Sequence, residues 1–310
     1  MADKAILYDS SKCTACKGCQ VACKTWNDLP SPLGLNENKF TGSYQSPLDV
    51  GGQTRMIITF DERKATEPRK TSSGEDVPVR SVEWAFGRRS CMHCTDAGCV
   101  NVCPSGALFH IEETGMVSFD ASVCIGCQYC RSACPYDIPR HSDDGINGSG
   151  LRINKCTGCP DRVAQGRKPA CVHTCQPNAL MFGDRDEMLE YAHERVETLK
   201  ARGYSDARVY GETEMDGAHT LHVLKYSLDH YTLPEHPAHG ALDGALDFMK
   251  PLAAVGGIGI LGGLTLSYLT GLGYKRDDLV YDEKNKNVID KKTGEVVKHI
   301  EDEQLEKAGE

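Results

Sequence analysis

Cys124-Ile-Gly-Cys127-Gln-Tyr-Cys130-Arg-Ser-Ala-Cys134-Pro135 is the stretch whose reading settles the architecture of the chain. Two-residue gaps bring three thiolates to one set of irons, while the fourth cysteine, beside a proline, is carried past them to a neighbouring group. This is ligand spacing for a cubic [4Fe–4S] cluster. Gly126 suits such a loop, because a residue without Cβ lets the backbone turn tightly and aim its N–H groups at sulfur.

Three further runs lie outward from it. Cys13-Thr-Ala-Cys16-Lys-Gly-Cys19-Gln-Val-Ala-Cys23 has the same spacing, with Lys24 in the proline position. Cys91-Met-His-Cys94-Thr-Asp-Ala-Gly-Cys99-Val-Asn-Val-Cys103-Pro104 has one wider gap. Cys156-Thr-Gly-Cys159 and Cys171-Val-His-Thr-Cys175 are separated by an insertion, and Gln176-Pro177 follows. Four runs of four use all 16 cysteines, which is the requirement of four [4Fe–4S] clusters. Since the last cysteine of a run serves the partner cluster, the runs are expected to pair, first with fourth and second with third. The expected ligand sets are Cys13, Cys16, Cys19 with Cys175; Cys156, Cys159, Cys171 with Cys23; Cys91, Cys94, Cys99 with Cys134; and Cys124, Cys127, Cys130 with Cys103. Two ferredoxin-like units, one inserted in the other, would set four clusters in a line.

Competing uses of so many cysteines fit less well. A disulfide framework belongs to short secreted domains with a signal peptide, and Met1–Ser10 lacks the apolar stretch of an export signal. Zinc sites usually take two separated cysteine pairs. His93 and His173 lie inside ligand runs, but a Rieske centre replaces cysteines with histidines and each run already has its four. A net charge of −9 offers no basic stripe for nucleic acid. No dinucleotide-binding glycine motif, P-loop or nucleophile constellation is present, so no nucleotide cofactor and no catalytic residue is assigned to this chain. Lys12, Arg89 and Lys155 stand within two residues of first ligands, either offsetting cluster charge or as solvated surface charge.

Between the runs, Arg55–Phe60 and Val77–Trp84 read as short strands flanking a charged segment, Asp61 to Asp76. Glu112–Gly115 reads as a turn leading to a strand from Met116. Asp184 and Glu187 have capping-box spacing for a helix to about Arg202, with Met188, Tyr191, Ala192, Val196 and Leu199 on one face and Gly203 as its stop. Ala207–Gly211 and His219–Tyr226 read as strands. His230, His236 and His239 fall in a linker read as a solvated loop.

Pro251 to Gly273 carries no charge over 23 residues, roughly 34 Å as a helix, against a hydrocarbon core of about 30 Å. Gly259, Gly263 and Ser267 would form a small-residue face on it. One Lys or Arg lies in the twenty residues before this span and six lie in the twenty after it, so the positive-inside rule places the tail in the cytoplasm and the cluster domain in the periplasm. The expected fold class is therefore α+β, two nested ferredoxin-like units with loop-rich insertions plus one C-terminal transmembrane helix. Its parts are residues 1–90 (first unit with an insertion), 91–140 (the inserted second unit), 141–183 (completion of the first), 184–250 (helix, strands and linker), 251–273 (the span) and 274–310 (a charged cytoplasmic tail).

The four cysteine runs, Trp26-Asn-Asp28, Cys156-Thr-Gly-Cys-Pro-Asp-Arg-Val163, Leu199-Lys-Ala-Arg-Gly-Tyr204 and Lys250-Pro-Leu-Ala-Ala254 together resemble the iron–sulfur (beta) subunit of membrane-bound respiratory formate dehydrogenase. The resemblance covers nearly the whole chain; departures are the insertion around Glu62 to Val79 and the tail after Lys275. It implies a non-catalytic electron-transfer subunit in the inner membrane and its lipid. Its partners would be a catalytic subunit carrying molybdenum or tungsten on a pterin, and a membrane cytochrome b that reduces quinone. The cysteine runs alone are also shared with iron–sulfur subunits of other molybdopterin oxidoreductases and fit a membrane-bound hydrogenase.

Overall fold

Lys4–Asp9 forms the first strand, β1, and its residues Ala5 to Asp9 are all buried. Alternate residues serve two different layers, as a period of two requires. Ala5 and Leu7 pack under a long helix, whereas Ile6 and Tyr8 face the cysteine-bearing side. The computed structural model describes residues 3–31, 40, 42–142, 150–240, 260–269 and 278–299. They belong to two compact units, Met1–Asp247 and Phe248–Glu310.

In the first unit β1 runs into the first cysteine run and α1 (Gly18–Trp26). A long hairpin follows, β2 (Ile57–Lys70) and β3 (Asp76–Arg89), in register from Ile57 opposite Arg89 to Lys70 opposite Asp76. The second and third runs carry α2 (Gly98–Asn101), the hairpin β4 (Leu108–His110) and β5 (Val117–Phe119), and α3 (Tyr129–Ala133). A small pair, β6 (Arg140–Ser142) and β7 (Arg152–Asn154), leads to the fourth run with α4 (Pro160–Ala164) and α5 (Ala170–His173). The unit is completed by β8 (Leu180–Asp184), α6 (Arg185–Ala201), β9 (Arg208–Tyr210) and β10 (Thr220–Leu224).

The main sheet has the order β8-β1-β10-β9, with β1 parallel to β10 and the outer pairings antiparallel. Helix α6 lays Ala192, Val196 and Leu199 on Leu221, Val223, Ala5 and Leu7. Truncating one such buried leucine typically costs about 2–5 kcal/mol. The register delivers the cysteine runs to one edge. Tyr8 at the end of β1 lies opposite Leu180 at the start of β8, so the run after β1 and the run before β8 emerge side by side. The second run is tied to the start of β10, where His219 and Thr220 donate their N–H groups to the carbonyls of His93 and Met92 at 2.9 Å each. Helix α1 packs against α5, and α2 against α3.

Several expectations are revised here. The charged segment from Asp61 to Lys70 is strand rather than the break between two short strands, because a two-stranded ribbon in solvent accepts polar side chains on both faces. Strands β1 and β8 carry no period-two signal, since β1 is covered on both faces and reads as a continuous apolar run. Helix α6 begins at the expected place, yet Asp184 makes no capping hydrogen bond. Its carboxylate accepts from Lys4 Nζ at 2.7 Å instead. His230 and His239 do not float in a solvated loop: they lie 2.7 Å from Asp61 Oδ2 and 2.6 Å from Asp96 Oδ2.

In the second unit, residues 279–299 of the expected charged tail contain a three-stranded antiparallel sheet, β11 (Leu279–Asp282), β12 (Asn287–Asp290) and β13 (Val296–His299). No helix among the described residues is long and apolar enough to cross a membrane. Of the transmembrane helix expected over 251–273, only residues 260–269 are described; they are helical, about 15 Å at 1.5 Å per residue. Residues 251–259 and 270–273 lie outside the described residues.

Candidate iron–sulfur centres

None of the 16 cysteines forms a disulfide. Each run uses the same local device: the residue before its second cysteine is left-handed, Ala15 at φ 52°, His93 at 52°, Gly126 at 73° and Gly158 at 76°. That turn points backbone N–H groups at sulfur. Ala15 N donates to Cys13 Sγ and His93 N to Cys91 Sγ, both at 3.4 Å. At the ends of runs the next strand or turn does the same, with Leu180 N donating to Cys175 Sγ at 3.3 Å. Gly126 also sits where a Cβ would come within 2.6 Å of the Leu151 carbonyl oxygen, so both its φ and its surroundings require glycine.

The fold gathers thiols that are far apart in sequence. Cys13 is within electrostatic reach of Cys16 and Cys175, and Cys19 of Cys13 and Cys175. Cys23 faces Cys156, Cys171 and Cys159. Cys94 faces Cys91, Cys134 and Cys99, and Cys130 faces Cys127, Cys103 and Cys124. The sets are also within electrostatic reach of one another in turn: Cys19 of Cys171, Cys156 of Cys91, and Cys99 of Cys130. They form a row.

Two of the sets line pockets, one bounded by Cys13, Cys16, Cys19, Cys175 and Tyr8, and one by Cys103, Cys124, Cys127, Cys130 and His141. Among the described residues no three His, Cys, Asp or Glu side chains converge on a single metal ion. Burial pushes Cys19, Cys130 and Cys159 up to about 12, reinforced by mutual repulsion of neighbouring thiolates. Such sets ionise together only when positive charge enters with them. All-thiol donors and backbone amides aimed at sulfur fit a [4Fe–4S] cluster.

The surroundings hold residues the cysteine spacing does not announce. His93 is fully buried, and its Nδ1 accepts the Val117 N–H at 3.1 Å, so Nε2 carries the proton and faces Cys156 without a well-formed hydrogen bond. Burial raises the Cys156 thiol, but His93 and Arg88 outweigh it and bring it below the usual range. Lys155, 2% exposed, donates to the carbonyls of Val117 at 2.6 Å and Cys156 at 2.9 Å. Arg55 donates to Asn154 Oδ1 at 2.6 Å and Asn27 Oδ1 at 2.5 Å, with the Cys23, Cys156 and Cys159 charges nearby. Asn27 Nδ2 in turn lies 3.8 Å from Cys23 Sγ.

Of the three cations noted in sequence, only Lys155 is buried beside a cluster set. Lys12 Nζ donates to Tyr191 Oη at 2.5 Å, and Arg89 pairs with Asp49 at 2.6 Å. His173 is exposed. The two short stretches around Trp26 and Cys156 meet each other: Trp26 Nε1 donates to Asp161 Oδ2 at 2.9 Å, and the Arg162 guanidinium stands 4.3 Å from the centre of its ring.

Comparison with known proteins agrees with this chemistry. Residues 82–185 match the family described as "4Fe-4S dicluster domain". The nitrate-inducible formate dehydrogenase iron–sulfur subunit of Escherichia coli K12 is 37% identical over 283 residues, covering 89% of this chain and 87% of that protein. The formate dehydrogenase-O iron–sulfur subunit of the same organism is 35% identical, covering 93% and 89%. The B subunit of anaerobic dimethyl sulfoxide reductase, also from E. coli K12, is 40% identical over 182 residues, 58% of this chain and 73% of that protein. With two relatives matched along nearly their whole length and thiols gathered for iron–sulfur ligation, the chain belongs to the family of formate dehydrogenase iron–sulfur subunits.

Proposed function

We propose that this chain is an electron-transfer subunit carrying four [4Fe–4S] clusters. They would be held by Cys13, Cys16, Cys19 and Cys175; by Cys23, Cys156, Cys159 and Cys171; by Cys91, Cys94, Cys99 and Cys134; and by Cys103, Cys124, Cys127 and Cys130. The observation that supports the reading is that thiols far apart in sequence come within electrostatic reach of one another, in an order that the four sets follow. When bound, each cluster supplies one-electron redox chemistry. The protein's own part is to hold the sulfurs, exclude water and aim N–H groups and buried cations at them, which sets the potentials. Residues 1–90 with 141–183 would form one ferredoxin-like unit and 91–140 the other; the packing of α1 on α5 and α2 on α3 supports that nesting.

The partners in this reading are a molybdenum- or tungsten-pterin subunit that oxidises formate and a membrane cytochrome b that passes electrons to quinone. The apolar side chains of residues 260–269, from 58% exposed at Leu269 to 67% at Ile260 and Tyr268, support contact with lipid. The chain would be anchored through 251–273 in the inner membrane, cluster domain in the periplasm and tail in the cytoplasm. Protease treatment of spheroplasts tests that placement: cleavage in the cluster domain is expected, and full protection would refute it.

The decisive experiment is anaerobic purification of the complex, with iron and acid-labile sulfide counted per chain and low-temperature electron paramagnetic resonance recorded before and after formate. Four clusters reduced by formate and not by hydrogen are expected. The similarity to a dimethyl sulfoxide reductase subunit favours a second reading, the iron–sulfur subunit of another molybdopterin oxidoreductase. Clusters reduced by dithionite but not by formate would favour that reading or a hydrogenase.

A further inference from the structure

Arg88 is 3% exposed, and none of its Nε, Nη1 and Nη2 atoms has a hydrogen-bond partner among the described residues. An unpaired charge so deep in a protein costs several kcal/mol unless an anion lies near it. The neighbouring arginine shows how the usual solution looks: Arg89, the next residue on β3, points the other way and pairs with Asp49 at 2.6 Å. Arg88 stands opposite Ile58 across the hairpin, and Ile58 packs with Cys19, Cys23 and Cys171. The charges bearing on its guanidinium are those of Cys171, Cys156, Cys19 and Cys23. Three of these sulfurs belong to the set completed by Cys159, and Cys19 belongs to the set completed by Cys13, Cys16 and Cys175.

We propose that Arg88 is the shared counter-ion of these two cluster sets and raises the reduction potential of both. The inference rests on the cluster reading given under Proposed function. Four thiolates leave a cluster site with net negative charge, and reduction adds one more electron without adding a proton at this residue. A fixed cation therefore stabilises the reduced form more than the oxidised form. Arginine suits the position because its guanidinium stays charged when desolvated, and a lysine there would hold its proton through the negative charge of the same neighbouring thiolates. Arg88 is a positioning and tuning residue in this role, not a catalytic one.

The test is a potentiometric titration, followed by electron paramagnetic resonance, of the anaerobically purified complex carrying Arg88→Met, Arg88→Lys or Arg89→Met, with iron and acid-labile sulfide counted for each. In Arg88→Met the reduction equilibrium of two of the four clusters is expected to fall at least tenfold, 59 mV for a one-electron couple. The other two clusters should keep their potentials, as should all four in Arg89→Met, and Arg88→Lys should recover most of the shift. If Arg88→Met fails to load two clusters but Arg88→Lys loads them, the requirement for charge is met by a different readout and the proposal stands. Loaded Arg88→Met with unmoved potentials would overturn it, as would equal loss of clusters in both Arg88 variants, which would mean that shape and not charge matters. A wild-type complex without iron and sulfide would instead overturn the cluster reading beneath it.

Discussion

The thiols Cys23, Cys156, Cys159 and Cys171 are all buried, with Arg55, Arg88 and His93 around them. At the far end of the row, Cys127 is exposed and Cys103 half-buried, and the side chains that reach that set include His141, 3.9 Å from Cys130 Sγ, and Ser105, whose hydroxyl lies 3.7 Å from Cys103 Sγ. Burial raises the Cys103 thiol, but N–H groups of Leu108, Ala107 and Ser105 and the Ser105 hydroxyl outweigh it. One set is dry and offset by whole charges. The other is wetter and offset by backbone dipoles. The same cysteine device thus yields two electrostatic environments, and potentials follow the environment.

The largest effect should separate the two sets outright. Cys156→Ala removes a ligand from the dry set and leaves three crowded thiols beside buried cations, so loss of that cluster and a sharp fall in soluble complex are expected. Cys127→Ser is expected to cost only its own cluster, with the other three still loaded. Iron content and yield measure both, and equal damage would erase the comparison.

A pH effect belongs to the dry side. His222, fully buried between Tyr8 and Tyr210, is brought down to about 3 by burial and secondarily by Arg88. The unfolded chain therefore takes up a proton below about pH 6.5 that the folded chain refuses. Stability is unaffected above that pH and falls as pH drops from about 6.5 towards 3, with a slope of up to about 1.4 kcal/mol per pH unit. His222→Phe should flatten the profile in denaturant unfolding between pH 6.5 and 4.5; an unchanged slope would show that another group dominates.

At the wetter end, Gly126→Val should cost about 1–3 kcal/mol, because φ is 73° and the new Cβ would crowd the Leu151 carbonyl oxygen. Iron loss confined to one cluster is the expected signature. The smallest effect is that of His141→Ala. With a contact as long as 3.9 Å and no buried charge, it should shift one midpoint by less than tenfold, so a shift rivalling Arg88→Met would weaken the distinction between dipole and charge.

How far these features are legible in the sequence varies with how local each one is. The helix face of Ala192, Val196 and Leu199 is local and stands where the 3.6-residue period places it. The Asp184 cap is equally local in pattern but loses its carboxylate to Lys4, 180 residues away in sequence. Strand β1 is invisible because what covers its two faces, helix α6 on one and the cysteine-bearing layer on the other, comes from elsewhere in the chain. Arg89 draws notice for standing near Cys91, whereas the buried cation is Arg88: the alternation of β3 decides which of two adjacent arginines turns inward.

By itself the sequence determined the chemistry, iron held by thiolates in an electron-transfer subunit, because ligand gaps of two residues are a property of the local chain and of the metal group. Only the tertiary structure decided what surrounds each thiol: which stay dry, which meet amides, and which face an unpaired guanidinium. Those depend on burial and on contacts between segments far apart in the chain, and local spacing carries no record of either.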